Sequence, residues 1–298
     1  MSQLTLGPIL FNWSPEQKRD FYFRVADEAP LDVVYVGEVV CSKREPFMTP
    51  YLAEIHDRLR AGGKQVVIST LALIMNARES KAVQDTASLT GELVEANDFA
   101  TVDLLAGRPH IVGPAVNCYN EGTLGYLAGK GAIRVCLPVE LPGDSVRLLA
   151  AGKICEIEIQ AFGRLPLAIS ARCYHARAHG LSKDGCQYVC DLDPDGLDVK
   201  TLDDQPFLAV NGTQTLSWSC LNLLAEVRDL AAVGVSHFRL SPQTIDMVKV
   251  AEIFRNVLDG EIESADGETR LAALAPDFTP SNGFMHGVEG WRQVETTA

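Results

Sequence analysis

Short apolar runs rich in valine, isoleucine and leucine recur along most of this chain, and segments with helical periodicity separate them. Strands buried on both faces are almost continuously apolar, so these runs indicate a parallel sheet covered on both sides. The alternation of such runs with helices is typical of βα units. The predicted strands cover residues 4–10, 33–36, 66–70, 111–116, 133–137, 154–162, 167–170, 207–210 and 237–240.

The helical segments begin and end at recognisable residues. Ser14 can cap the first predicted helix, and Pro15 suits its first turn. The other predicted helices cover residues 49–60, 120–130, 144–151, 221–233 and 241–258. About eight β/α steps predict an α/β fold, a TIM-like (β/α) barrel that is either regular or distorted. An open doubly wound sheet is the alternative, but no glycine-rich dinucleotide turn follows the first strand.

Two regions interrupt this alternation. Residues 172–204 contain three cysteines, two histidines and a run rich in Asp and Gly, which is too polar for a barrel helix. We therefore predict a cysteine-bearing insertion at 172–204 inside a barrel domain that spans residues 1–260. The remainder, residues 261–298, begins with acidic positions and continues into an aromatic segment, which predicts a C-terminal extension that packs on the barrel.

Composition and charge narrow the function. The chain has 298 residues and a formal net charge of −13, with 39 acidic against 26 basic side chains, so a broad nucleic-acid surface is not expected. Its apolar runs stop well short of roughly 18 residues, so no membrane span is predicted. The first residues show no basic leader followed by a long apolar stretch, which predicts a cytoplasmic protein. In a reducing compartment the eight cysteines should be mostly thiols.

Three of these cysteines form the most informative local pattern. Cys173 is followed by Cys186 and Cys190 within the polar insertion, where a hydrophobic core gives no reason to place them. If the second segment is helical, residues four apart share a face, so both sulfurs can address one centre. Soft thiolates in this number suit an iron-sulfur cluster or zinc rather than magnesium or calcium. A fourth ligand must then come from elsewhere in the chain.

The other cysteines separate by their surroundings. Cys118, Cys136, Cys155 and Cys220 lie in or beside strand-like runs, and we expect them to fill the core, as free cysteines often do. Cys41 is undecided on chemistry alone. It lies just past a predicted strand, where barrel proteins usually carry their functional groups.

Several segments together resemble the collagenase-like peptidase family, in its branch of iron-sulfur proteins for oxygen-independent ubiquinone synthesis. The resemblance rests on Val40-Cys41-Ser42-Lys43-Arg44, on Asn117-Cys118-Tyr119-Asn120 with the strand that follows it, on the cysteine trio, and on Asn282-Gly283-Phe284-Met285-His286-Gly287. It spans nearly the whole chain, and the cysteine spacing is its most specific part.

The resemblance implies a barrel that binds one [4Fe-4S] cluster through Cys41, Cys173, Cys186 and Cys190. It also implies a heterodimer with a UbiU-like partner that hydroxylates the ring of an aromatic isoprenoid, a ubiquinone precursor, without molecular oxygen. One alternative is a non-catalytic subunit whose cluster is only structural. Another is a peptidase, but where the peptidase branch carries an acidic residue and a His-Gly step this chain has Gln160-Ala161-Phe162-Gly163-Arg164.

Other groups receive two interpretations each. His175 and His179 have a spacing that could present two imidazoles to zinc, but we expect them to form the wall around the cluster or a solvated face. Asp191, Asp193 and Asp195 alternate as in a calcium loop, yet Pro194 and the missing closing Glu favour a surface turn.

The aromatic candidates either line a substrate pocket or close the barrel; they are Tyr119, Tyr126, Phe284, His286 and Trp291. Lys43 and Arg44 either stabilise a negative cluster or pair with Glu38 or Glu45.

Overall fold

The computed structural model of the protein describes residues 2–295, in which strands and helices alternate through most of the chain. The strands are β1 (Gln3–Leu6), β2 (Val33–Gly37), β3 (Gln65–Ser69), β4 (Leu93–Ala96), β5 (His110–Val112), β6 (Ala132–Cys136), β7 (Glu156–Ile169), β8 (Leu197–Lys200), β9 (Pro206–Asn211), β10 (Gln214–Asn222), β11 (His237–Leu240) and β12 (Pro280–Ser281). The helices are α1 (Pro15–Glu28), α2 (Glu45–Met48), α3 (Leu52–Ala61), α4 (Ala77–Ala87), α5 (Phe99–Leu104), α6 (Glu121–Gly129), α7 (Gly143–Ala151), α8 (Tyr174–Ala178), α9 (Val227–Ala232), α10 (Met247–Leu258) and α11 (Ser264–Leu274). Short 3-10 helices occur at Thr49–Tyr51, Pro114–Val116 and Val189–Asp191.

Eight parallel strands close into a barrel. They follow the order β11-β1-β2-β3-β4-β5-β6-β7, and β11 also pairs with β7. At the closing seam His237 lies opposite Gln3 on one side and opposite Glu158 on the other. The predicted (β/α) barrel is therefore confirmed, and the open doubly wound sheet is excluded because its edges would remain unpaired.

The helices cover the outside of the barrel, and several start at side-chain caps. Ser14 accepts a hydrogen bond from the Gln17 amide at the start of α1, and the Gln17 side chain accepts one from the Ser14 amide. Asn76 and Asn120 cap α4 and α6 through their side-chain oxygens. These caps satisfy amides that have no partner within the helix, which fixes where each helix begins.

Some predicted boundaries are wrong. Residues 154–162 and 167–170 do not form two strands, because β7 runs without a break from Glu156 to Ile169. The segment predicted as helix 221–233 starts as the end of β10, and only Val227–Ala232 is helical. The prediction also missed β4, which contains the charged Glu95, and β10, whose polar side chains are held inside the molecule.

The chain leaves the barrel in the second half of β7. There it forms α8 and an antiparallel sheet in which β8, β9, β10 and the end of β7 are neighbours. It returns to the barrel through α9 and β11. The departure from βα alternation thus extends beyond the predicted 172–204.

After the barrel, the chain packs back onto it. The predicted domain boundary at residue 260 falls in the turn between α10 and α11, and β12 then pairs with β10. The half-buried His286 contacts Glu226 with 2.8 Å between Nε2 and Oε1. Asn282 donates to the same carboxylate oxygen over 2.9 Å.

In the part of the chain from residue 2 to residue 295, no helix has the length and apolar content needed to cross a bilayer.

Candidate metal centre

A cavity of about 270 Å³ opens at the carboxyl ends of the barrel strands. Its wall is mostly apolar and includes Leu10, Val39 and Leu167, together with Gln160 and Gln214. We call it the mouth cavity. The carboxyl end of the strands is where barrel enzymes place their reacting groups, which makes this cavity the first candidate for a small-molecule site.

The floor of the mouth cavity carries a buried ion-pair network. Arg239 lines the cavity, lies 2.7 Å from Glu95 Oε1, and donates two hydrogen bonds to Glu158 from Nε and Nη2 at 3.1 and 3.0 Å. Burial would raise the pKa of Glu158, but the Arg239 guanidinium outweighs it and lowers this pKa to about 2. The network therefore keeps Glu158 ionised and fixes the guanidinium in place.

Beside the mouth cavity lies a second, smaller cavity lined by Cys41, Cys173, Cys186 and Cys190. We call it the thiol cavity. The structure brings all four predicted residues to one place, although Cys41 lies more than a hundred positions before the others in the sequence. Their role as ligands remains a prediction at this point.

Local hydrogen bonds position the first two thiols. The Glu38 carboxylate accepts hydrogen bonds from the amides of Val40 and Cys41 at 3.0 and 2.9 Å, which holds the loop after β2 in a tight turn. Cys173 caps α8: its sulfur accepts from the Ala176 amide at 3.3 Å. A short side chain at such a cap can satisfy a helix amide and still face a neighbouring cavity.

The prediction that Cys186 and Cys190 share one face of a helix is wrong. Cys186 lies in a loop, and Cys190 lies in the 3-10 helix Val189–Asp191. Gln187 and Tyr188 adopt φ values of 49° and 58°, and a backbone in this left-handed region cannot continue a right-handed helix. The loop nevertheless brings both sulfurs to the thiol cavity.

Positive charge surrounds the four thiols. Arg44 is 2% exposed and lines the cavity together with Lys43 and Lys183. Its Nη2 donates to Asn211 Oδ1 over 2.7 Å and its Nη1 to the Leu10 carbonyl over 3.0 Å, while Glu38 lies 3.9 Å away. Arg44 therefore has the acidic neighbour that one interpretation expects and also faces the thiols, while its role in stabilising a cluster remains a prediction.

Protonation does not distinguish Cys41 and Cys173 from the cysteines outside the thiol cavity. Burial raises the pKa of Cys41 and of Cys173, with Arg44 acting in the opposite direction. Burial also raises the pKa of Cys118 and Cys155 to about 11 and that of Cys220 to about 12. What sets the cavity thiols apart is their position around a common space with cations.

Cys118, Cys136 and Cys220 are buried, and Cys155 packs against the core, as predicted. All eight cysteines of the chain are free thiols.

The spacing of the cavity thiols decides which metal group they suit. Tetrahedral zinc with bonds of about 2.3 Å to sulfur requires sulfur atoms about 3.8 Å apart. Within residues 2–295, one group of three or more possible metal ligands has all its ligand atoms within 4.8 Å of one another, and this group contains no cysteine. No three of the four sulfurs are therefore this close together. As placed here, the four sulfurs are not as close together as one tetrahedral ion requires, and thiolates in this number beside cations are the donors that an iron-sulfur cluster accepts.

Sequence reasoning missed several residues of the two cavities. Asn12 donates from Nδ2 to the Cys190 sulfur over 3.3 Å, and Asn211 donates to the carbonyls of Cys190 and Asp193 at 2.8 Å each. Gly212 and Thr213 join β9, which ends at Asn211, to β10, and a glycine at the first position of a two-residue loop is a hairpin signal that could have indicated the turn. Asn12 has no comparable signal.

The aromatic candidates do not line the mouth cavity. Tyr119, Tyr126 and Trp291 are exposed at 44%, 54% and 68%. Phe284 packs against the core. Phe284 therefore fits the interpretation that the aromatic residues are structural, whereas the three exposed residues fit neither interpretation. The mouth cavity is lined instead by polar groups such as Gln160 and Gln214.

Comparisons with known proteins identify the family but leave the function open. The model of peptidase family U32 matches residues 18–292. Similar solved structures include a U32 peptidase, with 12% identity over 82% of this chain and 93% of that chain and a TM-score of 0.45. Dihydropteroate synthase from Thermus thermophilus has 11% identity over 87% and 93% of the two chains and a TM-score of 0.43. The tryptophan synthase complex from Pyrococcus furiosus has 11% identity over 92% and 99% and a TM-score of 0.42. Because the family model matches nearly the whole length, this chain belongs to peptidase family U32.

Proposed function

We propose that this protein binds one [4Fe-4S] cluster through Cys41, Cys173, Cys186 and Cys190. We further propose that it acts as a UbiV-type protein, with a UbiU-like partner, in oxygen-independent hydroxylation of a ubiquinone precursor ring. The observation that supports this most directly is that four thiols and a buried guanidinium line one cavity, directly beside an apolar cavity at the barrel mouth.

The residues around the thiols suit a negatively charged group. The Arg44 guanidinium lies in the wall, where it offsets the charge that four thiolates bring. Asn12 and the Ala176 amide donate hydrogen bonds to the sulfurs of Cys190 and Cys173 at 3.3 Å each. Donors of this kind stabilise the more reduced state and tune the reduction potential. When bound, the cluster supplies one-electron redox chemistry.

The mouth cavity suits an aromatic ring. A cavity of about 150 Å³ already holds benzene, so 270 Å³ gives room for a ring with substituents. Gln214 is 1% exposed and lines this cavity; its Nε2 donates to the Leu10 carbonyl over 2.7 Å, and its Oε1 has no partner. The carbonyl fixes the orientation of the amide, so Gln214 is a held polar group in a mostly apolar wall.

One backbone carbonyl connects the walls of the two cavities. Leu10 accepts a hydrogen bond from Gln214 in the wall of the mouth cavity and another from Arg44 in the wall of the thiol cavity. Val39 lines the first cavity, and Cys41, two residues later, lines the second. A ring held at the mouth would lie next to the group that takes up or delivers electrons.

Iron and sulfide analysis of protein purified without oxygen tests the cluster. We expect about four iron and four sulfide ions per chain. Single replacement of Cys41, Cys173, Cys186 or Cys190 by alanine should abolish the full cluster. Cys155→Ala is the matched control and should retain it, because Cys155 packs against the core away from this cavity. Full clusters in any one of the four variants would remove that residue from the ligand set.

A second function is favoured by a separate observation. Three of the four thiols belong to the insertion, and Cys41 connects that insertion to the loop after β2, so a cluster here could serve only to hold the insertion in place. Redox titration of the complex with the partner separates the two. A cluster that changes oxidation state during turnover supports the redox role, and one that stays in a single state while the complex is active supports the structural role.

Proteolysis has less support. The Gln160 amide donates to the carbonyls of Gly163 and Arg164 at 3.4 and 3.0 Å, and a neutral amide cannot act as a general acid or base. We expect the purified protein to leave fluorescently labelled gelatin intact. Cleavage that persists through successive purification steps would restore the peptidase hypothesis.

A further inference from the structure

Two histidines and an aspartate form a compact group near the thiol cavity. His175 and His179 lie on one face of α8 with parallel rings, at 5.2 Å between centroids and 3° between planes. Asp193 approaches from the turn after the last 3-10 helix, with 3.0 Å between its Oδ2 and His175 Nε2. One ligand atom from each side chain lies within 4.8 Å of the other two.

The hydrogen bonds of His175 leave its second nitrogen without a partner of the right kind. The Nδ1 atom lies 3.2 Å from the Val210 carbonyl, and a carbonyl oxygen can only accept, so the ring proton is on Nδ1. Nε2 then carries a lone pair and faces a carboxylate oxygen, which is also an acceptor. His175 is fully buried, and its Nε2 has no hydrogen-bond partner. Two facing acceptors require a cation between them, either an added proton or a metal ion.

The Nδ1 atom of the second histidine also lies against a backbone carbonyl. His179 Nδ1 lies 3.1 Å from the His175 carbonyl, which again assigns the proton to Nδ1 and the lone pair to Nε2. Histidines that bind metals usually donate their other ring N–H to a carbonyl or carboxylate, which fixes the tautomer and the ring. Asp193 is also held, because the Asn211 side chain donates to its carbonyl at 2.8 Å.

We propose that His175, His179 and Asp193 bind a divalent transition-metal ion of the zinc class. Two imidazole nitrogens and one carboxylate oxygen are ligands that zinc accepts, and three protein ligands leave a fourth position for water. His179 is exposed, so the ion can be reached from solvent. This site uses nitrogen and oxygen donors, does not share a ligand with the thiol cavity, and does not depend on the proposed function.

Titration of the full-length protein with Zn²⁺, after dialysis against a chelator without oxygen, tests this site. We expect one Zn²⁺ ion to bind at this site in each chain. His179→Ala and Asp193→Asn should weaken its binding by at least about 100-fold, since loss of an outer partner alone costs roughly 10- to 100-fold. Asp191→Asn is the matched control: it removes an exposed carboxylate from the same turn and should leave the affinity unchanged.

X-ray absorption at the zinc edge identifies the ligands in the same samples. Nitrogen and oxygen neighbours at about 2.0–2.1 Å support the site, whereas sulfur neighbours at about 2.3 Å would show that Zn²⁺ occupies the thiol cavity instead. Equal binding by His179→Ala and the wild type would overturn the proposal. So would the absence of bound Zn²⁺, which would leave a second ring proton as the cation between His175 and Asp193.

Discussion

The buried carboxylate of Glu158 connects three other side chains at the centre of the barrel. It accepts hydrogen bonds from Thr5, Tyr35 and Arg239, and the guanidinium of Arg239 also stacks 4.0 Å from the centroid of the Tyr35 ring. All of these groups are buried. Removing one charged member of such a network leaves a buried charge on its partner uncompensated. The free energy that this costs exceeds the net stabilisation that the intact network provides.

We predict that Glu158→Gln lowers the free energy of unfolding by up to about 3–5 kcal/mol at neutral pH, because it removes one of the two buried carboxylates that pair with Arg239. The pKa of Glu158 falls from 4.5 to about 2 on folding, so its stabilisation is complete above pH 4.5 and is lost as the pH falls towards 2. Urea unfolding between about pH 7 and pH 3 should show the difference between wild type and variant shrinking below pH 4.5. Glu54→Gln, at an exposed site on α3, should show no such trend.

Two glycines with the same backbone conformation allow a matched test at the thiol cavity. Gly212 has φ of +70°, and a methyl group there would collide with Arg44 Nη2, whereas Gly180 has φ of +71° and open space. Gly180→Ala should cost about 1 kcal/mol from backbone strain alone. Gly212→Ala should cost more and should also speed the loss of iron in air, because the guanidinium must move. Equal stability and equal iron loss in the two variants would contradict this.

At the residue scale, the sequence identified the candidate side chains better than it predicted the contacts that bring them together. The cysteines were predicted as one group, yet two of them come together through the left-handed residues Gln187 and Tyr188 rather than through a helix. His175 and His179 could be placed on one helix face, but Asp193 joins them only through a tertiary turn. Residue spacing reports local geometry, and long-range contacts of this kind leave no periodic signal.

Helix α1 illustrates how a short sequence sets the start of an element. We predict that Ser14→Ala lowers the free energy of unfolding by about 1 kcal/mol, because it removes the acceptor for the Gln17 amide. Ser14→Asp keeps an acceptor and should stay close to wild type. Denaturant unfolding measures both variants, and equal losses would argue against the cap as the cause.

The elements themselves were predicted where the pattern was strongly apolar and were missed where it was not. Strand β4 carries Glu95, which is stable inside because the closed barrel brings Arg239 within 2.7 Å of it and because Ser69 and Asn97 donate hydrogen bonds to its other oxygen. In β10, polar residues such as Gln214 and Ser219 are buried between other elements. A pattern of alternating polar side chains normally indicates a strand face that is exposed to solvent. The burial of these residues therefore follows only from the complete fold.

For the whole molecule, a bound cluster would connect parts of the chain that are distant in sequence. We predict that stripping iron from the wild type lowers its melting temperature, at roughly 2 °C for each kcal/mol of stabilisation lost. Cys41→Ser, which lacks the connection to the loop after β2, should melt lower at the outset and change little on iron removal. Calorimetry without oxygen measures both proteins, and an equal decrease in each would count against the four-thiol arrangement.

Strand β7 runs as one piece from the barrel seam, where Glu158 lies opposite His237, to the sheet of the insertion, where Ile169 lies opposite Gln214. Between these two points Gly163 has φ of +106° and the pairing on either side shifts register, so the strand carries a bulge where it leaves the barrel. Strand β10 pairs with the outer part of β7, and β9 pairs with β10. A protein that binds the sheet outside the barrel would therefore reach the barrel wall through one strand and its single bulge.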